Sequence, residues 1–585
     1  MSYIRGGSFL LGKTNPEDVF IPEEMDELHK MVKQTMQDFC QDKVLAREEE
    51  IEEKQEGVMA SLIKEAGGLG LLGSEIEEEY GGDETDKITS IIISENSSYN
   101  GSFDVTFGGQ VGIGTLPIVY FGNQDQKKRY LPGLVSGEKL SAYALTEPEA
   151  GTDAMNCQTR AELSQDGKYY ILNGTKQFIT TAAWADVIVT YAKIDGEKFT
   201  AFIIDGDAEG LSIGPEEKKM GLKGTSTCSI NLDDCKVPVE NVLHEIGKGH
   251  HVALNTLNMG RFKLSAVCTG GGKRAIEIAT DYALQRYQFK QPIAEFNLTK
   301  EKVAEMVIYT YAMESMVYRT AGLMEERMSE ANEEEISEAI REYALEYSIN
   351  KVFCSEAHDY IVDMAMQIFG GYGYCQEYPV ERMYRDSRVK RIFEGTNEIN
   401  RIVVPGTLLG KGKNGELPLA ETISSLESAI EEARGKEVPT KPLEREEFIV
   451  DNMKSLFLMA LGKADEVYGK ELRKEQEIQE RLADMAAQIY ASESALIRAR
   501  KIKENQGEEA AKFPVMITES LTIKAIKQVS DWCREILAAT VEEEELKKLN
   551  QSIDILARFE QLNLFSRQRQ IADQAYRVKK YLLDY

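Results

Sequence analysis

Glu394 stands between an aromatic and a glycine in the run Arg391-Ile392-Phe393-Glu394-Gly395-Thr396-Asn397-Glu398-Ile399. A carboxylate flanked this way suits a base that works in an apolar pocket. Burial beside apolar groups raises its pKa and strengthens it as a proton acceptor. The glycine lets the main chain come close to a ligand. About twenty residues upstream lies a Gly-rich segment, Gln367-Ile368-Phe369-Gly370-Gly371-Tyr372-Gly373-Tyr374. A lone glutamate in so acidic a chain reads first as solvated surface charge, so the neighbours decide the matter.

Other segments with chemical appeal do not hold. Gly270-Gly271-Gly272-Lys273-Arg274 lacks the Walker pattern, which needs glycine where Val267 stands and Ser or Thr where Arg274 stands. It reads as a helix-packing cluster. Gly112-Ile113-Gly114 lacks the third glycine of a dinucleotide fingerprint. His250-His251 has no further ligand spacing and reads as a helix-terminus or surface feature. The acidic run Glu542-Glu543-Glu544-Glu545 reads as a solvated helix face.

The elements that must position Glu394 follow from the hydrophobic pattern. With 585 residues the chain exceeds one core and suggests three or four domains. Residues 22–66 read as helical, with Leu28, Val32, Met36 and Phe39 at helical spacing. Helix and loop signals continue to about residue 140. Over 168–240 the texture changes to β-branched runs such as Val187-Ile188-Val189-Thr190-Tyr191, with turns expected at Asn173-Gly174 and Asp205-Gly206. From Gly247 to Leu408 the pattern is helical again. The expected organisation is a helical domain over 1–140, a β domain over 141–243 and a helical domain over 244–408. A linker over 409–444 carries one exposed helix (420–435), and a second helical block fills 445–585. The fold class is mainly α with a small β domain.

Composition narrows the partners. The net charge of −29 argues against nucleic acid or an anionic membrane as the main partner. Eight cysteines without a Cys-x-x-Cys pair, and five histidines, give no metal or iron–sulfur pattern. Scattered thiols and a start without signal- or transit-peptide character fit a cytoplasmic bacterial protein. No apolar run is long enough to span a bilayer.

Four separated segments stand out together: Tyr143-Ala144-Leu145-Thr146-Glu147-Pro148-Glu149-Ala150-Gly151-Thr152-Asp153; Asn173-Gly174-Thr175-Lys176-Gln177-Phe178-Ile179-Thr180; Leu257-Asn258-Met259-Gly260-Arg261 with Arg286-Tyr287-Gln288-Phe289; and the Gln367-to-Asp386 block with Phe393-Glu394-Gly395-Thr396. Taken in this order, they resemble the acyl-CoA dehydrogenase family. The resemblance covers about residues 25–408. Glu480-Arg481-Leu482-Ala483-Asp484 resembles the C-terminal extension of the very-long-chain branch.

The resemblance implies an acyl-CoA dehydrogenase-like α–β–α core plus a C-terminal helical domain, and FAD as cofactor. Glu394 would take the α-proton of a long-chain acyl-CoA, its N–H would bind the thioester carbonyl, and the flavin would accept the β-hydride. Tyr143, Leu145 and Thr146 would line the isoalloxazine edge, and Phe178, Ile179 and Thr180 its face. Phe178 stands where relatives often carry Trp. Arg286, Phe289, Gln367, Gly370 and Gly371 would reach the FAD pyrophosphate and adenosine from a neighbouring subunit, and Thr396 and Glu398 would close over the pyrophosphate. Lys290 follows Phe289 where relatives commonly have Gly. Thr152, Asn258, Arg261 and Gly395 would contact acyl-CoA. In the branch that includes isovaleryl-CoA dehydrogenases the base sits where this chain has Gly260, which leaves Glu394 as the base supported by the motifs.

The resemblance also implies electron transfer to an electron-transfer flavoprotein and a homodimer. Peripheral membrane contact would need a basic face, for which Arg498, Arg500, Lys501 and Lys503 are the candidates. The alternatives are an acyl-CoA oxidase, which gives its electrons to oxygen, and a non-catalytic assembly protein on the same fold.

Overall fold

A computed structural model describes residues 3–332 and 334–583. The first helical layer includes Glu27–Phe39, whose Asp26 N-cap accepts from the His29 N–H. Met36 and Phe39 from this helix pack with Leu62, Ile63, Phe103 and Phe107. Leu28 of the expected stripe is exposed, and His29 is buried beside it.

Eight strands form one sheet. Leu211–Glu216 lies at one edge beside Thr227–Pro238, and Val242–Leu243 lies at the other beside Lys198–Asp205. Ser141–Ala144 joins from outside that order, pairing in parallel with Val187–Ile194. The long strand Tyr169–Thr180 carries two irregularities, between Leu172 and Gly174 and between Lys176 and Ile179. Asn173-Gly174 is therefore a bulge within a strand, not the turn expected from its residue types. A Cβ on Gly174 would lie 2.4 Å from Thr159 Oγ1, so close strand approach is what the glycine serves here. The second bulge turns Phe178 outward.

The helices Gly249–Gln285, Asn297–Ser329 and Ala344–Phe369 pack against one another behind the sheet. Gly271 sits at the contact with Ala344–Phe369, and Gly270 at the contact with the earlier helix Lys87–Asn96. A Cβ on Gly270 would meet the Glu95 carbonyl oxygen at 1.8 Å, and one on Gly271 would meet His358 Nε2 at 2.4 Å. His250-His251 opens the first of these helices. Asn397–Lys413 continues past residue 408 into the expected linker, and the expected 420–435 helix divides into Leu419–Ser424 and Leu426–Gly435. Glu542–Glu545 is exposed at the start of Glu543–Leu556.

The C-terminal block is built from Glu444–Tyr468, Gln476–Gln506, Lys512–Thr540, Glu543–Leu556 and Leu564–Val578. The basic face expected over 494–503 is not a solvent face. Arg498 is fully buried between Glu23 at 2.7 Å and Glu314 at 2.6 Å. Lys501 is buried against Glu24, Arg500 pairs with Glu447, and Lys503 pairs with Glu508. Arg498 and Lys501 dock the block on the N-terminal segment and the core, whereas Arg500 and Lys503 pair within the block. A buried charge costs several kcal/mol unless paired, which is why Arg498 and Lys501 each meet a carboxylate. The argument for membrane contact from this segment fails with it. Among the described residues no helix is long and apolar enough to cross a membrane.

Candidate active site

Glu394 lies on the short turn between Arg388–Arg391 and the helix Asn397–Lys413. Its φ is +56°, a left-handed conformation that costs a non-glycine residue about 1–2 kcal/mol. The surrounding side chains hold this strain in place. Arg261 Nε donates to the Glu394 carbonyl at 3.0 Å, and Lys351 Nζ donates to the Gly395 carbonyl at 2.8 Å. Asn400 Nδ2 reaches the carbonyls of Gly395 and Thr396 at 2.9 and 3.0 Å. Three consecutive carbonyls are thus bound from one side. Thr396 caps the following helix by accepting from the Ile399 N–H. Gly395 has φ +79°, and a Cβ there would lie 3.2 Å from Arg261 Nη2.

The Glu394 carboxylate is placed differently from its main chain. The residue as a whole is half-buried, yet Oε2 has no solvent contact and no hydrogen-bond partner. Burial pushes its pKa up to about 7, against the opposing charges of Arg261 and Lys351. Gly260 faces it closely: a Cβ there would lie 2.6 Å from Oε2. The Tyr143 hydroxyl is also buried without a partner. Burial, and then the charges of Tyr191 and Glu394, raise its pKa well above the usual phenol value. Burial likewise lowers Lys351 to about 8. The result is an uncompensated carboxyl group in an apolar recess, able to accept a proton near neutral pH.

The structure brings Asn258, Arg261, Gly395 and Thr396 together around Glu394. Arg261 is buried and also donates to Asn258 Oδ1 at 3.1 Å. Glu398 is exposed in the first turn of the next helix, and Thr152 is exposed on the loop after Ser141–Ala144.

The sheet side is bound into one unit. The Gln177 N–H donates to the Thr146 carbonyl at 2.9 Å. Lys176 Nζ reaches the Leu145 carbonyl at 3.4 Å and pairs with the buried Glu147 at 2.7 Å. These contacts fix the loop of Tyr143, Leu145 and Thr146 against the strand of Phe178, Ile179 and Thr180. Ile179 is buried and Thr180 half-buried. Phe178 is 60% exposed and has φ +59°. Neither the exposed aromatic nor the strained backbone helps the fold.

Half-buried Arg286 and exposed Phe289, Gln367, Gly370 and Gly371 form a separate group. The Arg286 guanidinium lies 5.2 Å from the Tyr372 ring centroid. Phe289 and Lys290, at φ +51° and +68°, make the two-residue turn of the hairpin Tyr287–Gln288/Gln291–Pro292. Lys290 thus adopts the positive φ that a glycine would take there. Among the described residues no hydrogen bond joins this group to the Glu394 turn.

Three residues of the site escape sequence reasoning. Lys351 and Asn400 bind the turn, and Asn397 does so indirectly, its Oδ1 accepting from Lys351 Nζ at 2.6 Å.

Comparison with known proteins gives the family. Residues 26–138, 142–235 and 247–408 match the N-terminal, middle and C-terminal domains of acyl-CoA dehydrogenase, and residues 452–553 match a further family model also described as an acyl-CoA dehydrogenase C-terminal domain. A probable acyl-CoA dehydrogenase of Bacillus subtilis is 47% identical over 583 residues, covering 99% of this chain and 98% of that protein. The human mitochondrial very long-chain specific acyl-CoA dehydrogenase is 34% identical over 461 residues, 73% of this chain and 67% of that one. The crystal structure of an acyl-CoA dehydrogenase complexed with FAD from Bacillus anthracis superposes with a TM-score of 0.97 at 48% identity, covering 99% of this chain and all of the other. The chain belongs to the acyl-CoA dehydrogenase family.

Proposed function

We propose that the protein oxidises long-chain saturated acyl-CoA to trans-2-enoyl-CoA with FAD as cofactor, and passes the electrons to an electron-transfer flavoprotein. The observation that carries this reading is the Glu394 carboxyl group, whose Oε2 is enclosed without a hydrogen-bond partner and whose pKa is raised to about 7. It accepts the α-proton of the thioester. The Glu394 N–H donates to the thioester carbonyl oxygen and so stabilises the enolate-like charge left by that proton. Asn258 and Arg261 act on the substrate end through the turn they hold, with Gly395 beside the thioester and Thr152 along the CoA arm.

The residues present fit FAD. Exposed Phe178 at positive φ, backed by Ile179 and Thr180 and set beside Tyr143, Leu145 and Thr146, offers a flat apolar wall with polar edges. FAD, when bound, supplies the acceptor for the β-hydride. Phe289, Gln367, Gly370 and Gly371 are exposed and, with half-buried Arg286, stand apart from that wall, which suits contacts given to the cofactor of a second copy in a homodimer. Thr396 and Glu398, at a helix N-terminus, suit the pyrophosphate region. Long-chain preference rests on the likeness to very long-chain specific relatives.

Anaerobic titration of the FAD-loaded protein with palmitoyl-CoA tests the reading. Flavin absorbance bleaches in the wild type. Glu394→Gln keeps its flavin and slows bleaching by about 10²–10⁴-fold, the usual contribution of a positioned base. A wild-type spectrum unchanged by palmitoyl-CoA, butyryl-CoA and branched thioesters alike overturns it.

A further inference from the structure

The helix Gln476–Gln506 of the C-terminal block carries Asp484, in the segment Glu480–Asp484 that distinguishes the extended chain. Asp484 Oδ1 accepts from Arg401 Nε at 2.7 Å. The other two guanidinium nitrogens of Arg401 grip Glu356 in a fork, Nη1 to Oε1 at 2.8 Å and Nη2 to Oε2 at 2.9 Å. Glu356 Oε1 in turn accepts from Asn397 Nδ2 at 2.9 Å. Asn397 Oδ1 accepts from Lys351 Nζ, which also binds the Gly395 carbonyl. One continuous set of contacts therefore runs from the C-terminal block to the residue after Glu394.

The donor and acceptor chemistry gives this set one arrangement. Lysine and arginine only donate, and ionised carboxylates only accept. Asn397 must then turn its oxygen to Lys351 and its NH2 to Glu356. A flipped amide would set donor against donor at one end and acceptor against acceptor at the other. Asp484 stands at the far end, where it satisfies the third face of Arg401. Arg401 and Asp484 are 11% and 15% exposed, whereas Glu356 is 38% exposed. Glu356 is thus the member with room to swing into solvent, and the fork of Arg401 is what restrains it.

We propose that Asp484 is a positioning residue for the catalytic turn, so that the C-terminal block fixes the Glu394 main chain through Arg401, Glu356, Asn397 and Lys351. This rests on the reading of Glu394 as the base. It gives the block a part in catalysis beyond covering the core.

The test uses full-length FAD-loaded protein with palmitoyl-CoA. Asp484→Asn keeps shape and removes charge; it lowers kcat about tenfold, the scale of a sub-ångström misplacement, and leaves KM within about twofold. Asp484→Glu restores most of the rate. Hydrogen–deuterium exchange of peptides covering 392–398 is faster in Asp484→Asn, while exchange across 512–540 is unchanged. The control is Lys524→Met, which removes the ion pair between the same block and Glu305. It leaves the rate and the 392–398 exchange at wild-type values. Arg401→Lys, which keeps the charge and loses the fork, carries the same expectation should Asp484→Asn not fold. Wild-type kcat with wild-type exchange at 392–398 in Asp484→Asn overturns the proposal. So does a Lys524→Met effect of equal size, which would reduce the matter to docking. A wild-type protein that palmitoyl-CoA, butyryl-CoA and branched thioesters all fail to reduce sinks the base reading instead, and the exchange experiment still reports on the relay.

Discussion

Gly260→Ala separates stability from catalysis. Gly260 lies inside the helix Gly249–Gln285, and its added Cβ would stand 2.6 Å from Glu394 Oε2, 2.8 Å from Glu394 Cδ and 2.9 Å from Ile113 Cγ2. Ordinary contact at such atoms begins near 3.4 Å, so the carboxylate must retreat by about 0.5–1 Å. The fold has little to lose. The obstructed groups are two side-chain ends, the Glu394 carboxyl and an Ile113 methyl that shifts with it, and replacing a helix-interior glycine by alanine returns up to about 1 kcal/mol. Catalysis has much to lose, because a 1 Å misplacement of a reacting group can cost about 100-fold. We expect an unfolding midpoint within a few degrees of wild type and a rate of flavin reduction by palmitoyl-CoA lowered about 30- to 100-fold. That equals about 2–3 kcal/mol of activation free energy. Stopped-flow bleaching under anaerobic conditions measures it. A Gly260→Ala protein that bleaches at the wild-type rate would refute the placement of the base against this helix.

Further outcomes follow from the same geometry. Glu394 binds its proton more tightly folded than unfolded, so stability falls as pH rises from its ordinary value of 4.5 towards 7, by at most about 3 kcal/mol. Glu394→Gln therefore unfolds at a higher temperature than wild type at pH 8, and the gap closes towards pH 4.5; equal melting at both pH values contradicts this. In the wild type kcat/KM rises with pH through about 7 as Glu394 ionises. Lys351→Met removes a nearby positive charge and moves that limb to higher pH; an unmoved limb shows that Lys351 does not act on the carboxylate. Phe178→Gly relieves the positive φ and raises the melting temperature of the apoprotein, with about 1 kcal/mol at stake, while loosening FAD in a fluorescence titration. Unchanged FAD affinity would remove Phe178 from the cofactor wall.

Chemistry carried by local residue order was legible in the sequence. Phe393-Glu394-Gly395-Thr396 is a turn because Gly395 takes φ +79° and Thr396 caps a helix, and both facts are written in adjacent residues. The β texture of 168–240 was equally local, since alternation and β-branching set it. What escaped depended on partners distant along the chain. Arg498 looked like a surface cation because Glu23 and Glu314, which bury it, lie hundreds of residues away. Lys351 looked like an ordinary helical lysine because the carbonyl it binds belongs to Gly395. Asn173-Gly174 misled for another reason. Its residue types specify a tight local conformation, but the pairing with Thr227–Pro238 decided that the conformation would be a bulge.

The two cations beside Glu394 present an apparent contradiction: the proposed base is placed near Arg261 and Lys351, yet its pKa goes up. Direct ion pairing would have drawn the carboxyl below its ordinary value, as the buried Lys176 does to Glu147. Such a carboxylate would be too weak a base for a thioester α-proton. The structure avoids this by direction. Arg261 and Lys351 spend their hydrogen bonds on the carbonyls of Glu394 and Gly395, and neither bonds the carboxylate. Their charge still acts through space, but desolvation of an unbonded Oε2 outweighs it. The same bonds hold φ at +56°, the conformation that turns the side chain towards Gly260. The cations therefore fix where the base stands without weakening it. Exchanging Gly260 for a residue that hydrogen-bonds the carboxylate, as in Gly260→Ser, would undo the division: the limb of kcat/KM near pH 7 would move down towards the ordinary carboxylate range as the rate fell, whereas Gly260→Ala would lower the rate without that downward move.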